Sequence, residues 1–388
     1  MTEKRRTPEP AERSITIDLS RRKLQVTAAA ADEMMRASII EVRRGAAPYV
    51  TMTRIALAQL ARSRLARLGG LVLAAFLLLA MFADVLASDL PVLCRWHGTI
   101  YVLPDVTHPA ALEGVDCAQM RRQARPGDWE IEPLVASGPM HADPARALLP
   151  PLSAGHPLGT DTLGRDVFSR TVHGARTAFG LGLGASAILV LLGVVLGALA
   201  GFVGGAVDTL VTRTIEAFTA IPTLVLVLIV GALVPHPTTA TLLWTIALTR
   251  WTDLARMVRA EVLLALGTDY VTAARALGAS PWRVLRRHVL PNAIGPAIVA
   301  AAFGIASVVL IEAAVDFLHV GPADATASWG EALGQARGHP EAWWLIVFPG
   351  SALLSMLIAL NLVGEAARDA LDPKLRGVGE ELTEAMRS

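Results

Sequence analysis

Thr177–Val207, TAFGLGLGASAILVLLGVVLGALAGFVGGAV, carries no charged side chain anywhere along its length. A helix needs about 20 mostly apolar residues to cross roughly 30 Å of hydrocarbon, where its backbone groups find partners only within the helix. The stretch is long enough for one crossing with a turn at each end. Gly193, Gly197, Gly201 and Gly205 recur every fourth residue, the spacing that lets helices approach closely in a membrane. It therefore reads as a packing helix.

The same reading extends outward along the chain. Leu68 to Ala83 is uncharged and continues past Asp84 to Ala87; the run between Glu216 and Arg250 is split by Pro235-His236-Pro237, a tight turn between two helices. The helix after that turn continues through Arg250 and Asp253 towards Val258, and two more runs cover Val289–Ile311 and Ala342–Gly364. The expected fold is an all-α membrane protein with six transmembrane helices. Composition agrees: the 388 residues are 53% hydrophobic and 18% charged, against about 25% charged in soluble domains. Disorder, a disulfide-rich secreted class and a soluble enzyme are all disfavoured.

Orientation follows from Arg and Lys near the span ends. Arg54, Arg62, Arg64 and Arg67 precede the first span, Arg256 to His288 holds a basic loop, and Arg368, Lys374 and Arg376 follow the last. Six spans put all three on one side, the cytoplasm, with both termini. The expected divisions are a basic cytosolic segment 1–67 with an amphipathic lead-in, a first span 68–87, and an external, loop-rich insertion 88–175. A core with five further spans covers 176–376, and a cytosolic tail 377–388. The first apolar segment begins too late and runs too long for a cleaved signal peptide, and the charged residues 1–50 suit disorder or a lipid-facing basic arm. Cys94 and Cys117 both fall in the external insertion; a disulfide and two unpaired thiols are equally open there.

Most chemistry is missing. The only lysines, Lys4, Lys23 and Lys374, do not follow glycine, so no Walker A loop cradles ATP. No zinc-spaced Cys or His pair is present, no metal is expected, and no cofactor is implied. The informative segment is Arg259–Asn292, RAEVLLALGTDYVTAARALGASPWRVLRRHVLPN. Val271, Ala274, Leu277 and Gly278 share one face at helical spacing, and Gly278 followed by Ser280-Pro281 ends one short helix and starts another. Such a basic surface suits lipid headgroups or a partner's groove.

This stretch resembles the "EAA" loop of bacterial ATP-binding cassette (ABC) importer permeases: Thr272, Ala273, Ala274, Gly278, His288, Leu290 and Pro291 keep its spacing, with Thr272 where the acid would stand. Tyr270 to Asn292 is similar to the dipeptide/oligopeptide version, and PLGTDTLGRDVFSR (Pro157–Arg170) resembles that subfamily's signature before the second span. RTIEAFTAIP (Arg213–Pro222), Ser328-Trp329-Gly330 and RDALDPKLR (Arg368–Arg376) are similar to later landmarks. Where the family reads ESALSFLGLG, this chain has EAAVDFLHVG, with Glu312, Asp316 and His319.

The resemblance implies the type I ABC importer (MetI-like) permease fold and a non-catalytic C-type subunit forming half of a path for peptides or a related solute. Its expected partners are a second permease subunit, two cytosolic ATPases, an external solute-binding protein and membrane lipid, with no nucleic acid. Tyr270, Thr272, Ala273, Ala274, Ala276, Leu277, Gly278, Leu290 and Pro291 are the expected ATPase-coupling residues. Arg250, Asp253, Glu312 and Asp316 are candidates for the path or gate, with a mutual Arg250–Asp253 pair as the alternative. Trp329, Trp343 and Trp344 read as interfacial anchors. A stand-alone secondary transporter is the rival reading; it calls for paired internal repeats.

Overall fold

The computed structural model describes residues 14–19, 22–27, 63–321 and 326–371. Two units are distinct, residues 1–58 and residues 59–388. In the first, strand β1 (Ser14–Leu19) pairs antiparallel with β2 (Arg22–Thr27). Ile15 stands opposite Val26 and Ile17 opposite Leu24 in the register. The expectation of disorder or a lipid-facing basic arm over residues 1–50 falls for the most part outside the described residues, which here are these two strands. The tail 377–388 lies outside the described residues.

The second unit is a helical bundle. Helix α1 (Arg64–Met81) starts at Ser63, whose hydroxyl accepts from the Ala66 amide at 3.3 Å. A further turn, Ala83–Leu86, follows. Next comes a small sheet of strands β3 (Leu93–Trp96), β4 (Thr99–Val102) and β5 (Trp129–Ile131), in the order β4-β3-β5, with helix α2 (Cys117–Gln123). Cys94 and Trp96 on one face pack with Leu112 and Met120.

Helix α3 (Val167–Val203) is 37 residues long, about 55 Å at 1.5 Å per residue. Asp166 caps its start, accepting from the Ser169 amide at 2.7 Å. Helices α4 (Gly205–Thr219) and α5 (Thr223–Leu233) are bent by 76° at Ala220-Ile221-Pro222, as a proline without an N–H requires. Helix α6 (Thr239–Leu266) begins with a Thr238/Thr241 capping box. Helix α7 (Asp269–Ala276), α8 (Pro281–Val284) and α9 (Leu290–Phe317) follow, then α10 (Trp329–Gln335) and α11 (Trp344–Leu371).

The core is α3 against α6: Leu181, Ala185 and Leu189 meet Leu242, Ile246, Trp251, Leu254, Val258 and Val262. Glycine makes the seam. A Cβ on Gly197 would lie 2.5 Å from the Ala255 carbonyl oxygen, and one on Gly193 would lie 2.8 Å from Leu254, so the two helices run parallel with no side chain between them at Gly197. Arg259 of α6 also holds Asp208 of α4 at 2.5 and 2.7 Å.

Among the described residues, four helices are long and apolar enough to cross a membrane, α1, α3, α9 and α11, or five if the bent pair α4–α5 is one span. Helix α6 is not among them. It has the length, but it carries Arg250, Asp253, Arg256, Arg259 and Glu261.

Candidate functional site

The elbow between α6 and α9 is built by its sequence. Helix α7 ends in a Schellman arrangement: the Ala279 amide donates to the Ala274 carbonyl and the Gly278 amide to the Arg275 carbonyl, both at 3.0 Å, with Gly278 at φ +81°. Ser280 then caps α8, accepting from the Arg283 amide at 3.4 Å, with Pro281 at its first position. A π turn over Leu285–Val289 leads into α9 directly before Pro291, whose missing N–H leaves a carbonyl of the preceding turn without its helical partner.

Val271, Val284 and Val289 are fully buried and anchor the elbow to the bundle. Tyr270, Thr272, Ala273, Ala276, Leu277 and Gly278 are exposed, Ala274, Leu290 and Pro291 half-buried. Leu277 was expected on the same face as Val271. The structure corrects this: the helix stops at Ala276, the αL turn at Gly278 redirects the chain, and Leu277 stands 88% exposed beside Trp282 at 67%. Arg275, Arg283, Arg286 and Arg287 surround them, also exposed. Among the described residues the Thr272 hydroxyl donates to the Thr268 carbonyl, at 3.3 Å.

Arg250 and Asp253 form the mutual pair, at 3.2 Å, and Asp253 also holds Arg256 at 2.7 Å. Glu312 and Asp316 are buried together near the far end of α9. Cys94 and Cys117 stand as free thiols, both buried. Burial raises the Cys94 thiol, and burial with Glu130 and Glu132 nearby pushes Cys117 up to about 12.

Sequence reasoning missed the second feature, an ion network where α3 begins, at the opposite end of that helix from the elbow. Arg165 holds Asp161 at 2.7 Å and Glu331 at 2.5 Å, and Arg170 holds Glu331 at 2.5 Å. Asp161, Arg165 and Arg170 are buried. Burial alone would raise the Glu331 carboxyl, but Arg170 and Arg165 hold it below its ordinary value. Gln335 accepts from Thr162 at 3.0 and 3.2 Å, and His156 Nδ1 meets Asp166 at 2.7 Å. The network pins the PLGTDTLGRDVFSR stretch to α10. Its only sequence signal is the Asp161/Arg165 spacing. Two expected anchors belong here as well: Trp329 and Trp344 are buried, their indole N–H groups donating to the Thr171 and Thr160 carbonyls at 2.9 Å. Of the three, Trp343 is the exposed one, at 50%. The turn Ala83–Leu86 and its cap Ala87 join this end too, since His173 Nε2 donates to the Ala87 carbonyl at 2.9 Å and Arg176 holds Asp84 at 2.8 Å.

The described residues form a bundle of apolar helices with a protruding cationic elbow. Comparison with known proteins identifies its family. Residues 193–377 match the family described as "Binding-protein-dependent transport system inner membrane component". The chain is 40% identical over 220 residues to the di/tripeptide transport system permease protein DppC of Pseudomonas aeruginosa, covering 56% of this chain and 72% of that one. It is 38% identical over 239 residues to the dipeptide transport system permease protein DppC of Haemophilus influenzae (59% and 79%) and 35% identical over 230 residues to the oligopeptide transport system permease protein OppC of Bacillus subtilis (58% and 74%). A solved structure of the MetNI methionine ABC transporter in inward-facing conformations has a chain at TM-score 0.43 and 19% identity, covering 52% of this chain and 94% of that one. The chain belongs to the family of binding-protein-dependent transport system inner membrane components. It is a non-catalytic permease subunit of an ABC importer, in which ATP hydrolysis lies with separate subunits.

Proposed function

We propose that the chain is the C-type half of a peptide importer's translocation path, driven through its elbow. A second permease subunit completes the path, two ATPases dock in the cytoplasm, and an external binding protein delivers the solute; lipid surrounds the bundle and no nucleic acid takes part. Six spans cross the inner membrane, with the bent α4–α5 pair as the third and α6 as the fourth. Both termini and the elbow are then cytoplasmic, and residues 88–175 are external.

The observation that carries the reading is the elbow itself. Leu277 and Trp282 stand proud of a rigid support, ringed by arginines and flanked by Ala273, Ala276 and Gly278, where a second backbone can approach. An ATPase that binds the two orientations of the path with different free energy drives the change through such a contact. Thr272 brings no charge, so docking rests on shape and on the apolar pair. Arg250 and Asp253 satisfy each other and act in structure, while Glu312 and Asp316 line the gate end of α9.

The test is affinity purification of the tagged chain in mild detergent from cells that make the whole importer. An ATPase should co-purify and be lost with Gly278→Trp; recovery of the chain free of any ATPase would refute the reading.

A further inference from the structure

Helix α4 hangs between two corners. At its start Gly204 and Gly205 stand at φ +70° and +57°, in the left-handed region, and nothing lies within 4 Å of a Cβ built on either. No packing at that corner therefore fixes the angle between α3 and α4. At its other end the chain breaks at Ala220-Ile221-Pro222, with the 76° bend into α5. Of the 15 residues of α4 only Val211 and Ile215 are buried.

Among the described residues, one ion pair ties α4 to another helix. Arg259 Nε donates to Asp208 Oδ1 at 2.5 Å and its Nη2 to Oδ2 at 2.7 Å, a two-armed fork that fixes angle as well as distance. The Thr212 hydroxyl, one turn on, donates to the same Oδ1 at 3.4 Å. The backbone at Arg259 is itself held, since a Cβ on Gly201 of α3 would lie 2.9 Å from the Arg259 carbonyl oxygen. About two turns further on, α6 ends at Leu266 and the elbow follows.

Both side chains are partly exposed, Arg259 at 32% and Asp208 at 25%, so the pair adds little to stability. What the fork supplies is a fixed distance between a helix with little packing of its own and the helix that carries the elbow. We propose that Asp208 and Arg259 are positioning residues of the transport cycle, a strap through which α6, pushed at the elbow, carries α4 and turns the bent α4–α5 pair. The strap rests on the reading that the elbow receives the push. Without it, the two glycines and Pro222 let α4 stay behind.

The test is double electron–electron resonance of the chain assembled with its second permease subunit and ATPases in nanodiscs. Spin labels go on cysteines placed at exposed positions: Leu163, before α3, is the reference, paired with Asp269 in the elbow or with Leu210 on α4. The native Cys94 and Cys117 are buried. On trapping with ATP and vanadate, both distances are expected to shift in the wild type. In Asp208→Asn and in Arg259→Gln the Asp269 shift should persist, with the thermal midpoint unchanged, while the Leu210 shift falls to less than half. The Asp208→Arg/Arg259→Asp swap should restore it. A full Leu210 shift in both single variants, or a swap that restores nothing, overturns the proposal. A label at Asp269 that stays still in the wild type refutes the elbow reading itself, and the strap with it. Should the swap not insert, Arg259→Lys keeps the charge without the fork and is expected to lie between the wild type and Asp208→Asn. A Leu210 shift as small as in Asp208→Asn overturns the proposal equally.

Discussion

Asn292 Nδ2 donates to the Tyr270 hydroxyl at 2.6 Å and to the His288 carbonyl at 2.9 Å, so one amide clasps the first helix of the elbow to the start of α9. The clasp spans 22 residues of chain and closes the elbow into a ring. Removing it with Tyr270→Phe loses about 1 kcal/mol of hydrogen bonding, too little to unfold the bundle. Reconstituted with its partners, the variant should hydrolyse ATP at the wild-type rate while importing several-fold less solute per ATP. An unchanged ratio would show that the clasp carries no force.

Gly278 separates strain from blockage. Nothing lies within 4 Å of a Cβ built there, but its φ is +81°, so Gly278→Ala meets only the left-handed penalty of about 1 kcal/mol. Gly278→Trp adds bulk where the partner must sit. Uptake in the alanine variant should fall modestly and in the tryptophan variant to background, with equal amounts of both in the membrane by immunoblot.

Glu331 neutralises two buried guanidiniums, and Glu331→Gln leaves Arg170 underpaired at 2% exposure. Breaking a buried pair in this way costs about 3 kcal/mol. The thermal midpoint of the purified chain should drop by several degrees, whereas Asp253→Asn, which disturbs an exposed pair, should hardly move it.

The same network sets an acid limit. The Glu331 carboxyl is held below its ordinary value by Arg170 and Arg165 after overcoming burial. The stability it contributes is therefore present above the ordinary glutamate range and lost as pH falls through the lowered folded value. Melting curves recorded from pH 7 downwards should show the midpoint falling on the acid side, and Glu331→Gln should flatten that fall.

Cys94 and Cys117 should resist maleimide at pH 7 in the folded chain, since both are buried and their thiols are raised, Cys117 to about 12. Both should react fully after denaturation. Mass spectrometry that finds two labels on the native chain would contradict their placement.

How much of this was legible beforehand depended on the range of the interactions. Local signals read well: the uncharged run at Thr177–Val207, the Pro222 bend and the Gly278/Ser280-Pro281 punctuation each act within a few residues. Leu277 was misassigned because helical periodicity was extended across the turn that ends the helix. The Glu331 network escaped notice because its partners lie more than 160 residues apart in the chain, and no periodicity links them. Trp329 and Trp344 looked like lipid anchors for the same reason, their carbonyl partners being equally remote.

The seam at Gly197 sets the gearing of the molecule. With the Ala255 carbonyl lying where a methyl group would otherwise be, α3 and α6 meet backbone to backbone and have no slack between them at that point. A bulkier residue at that point would act as a wedge, turning a stiff beam into a loose joint: the motor would still turn over, and the door at the far side would stop answering it.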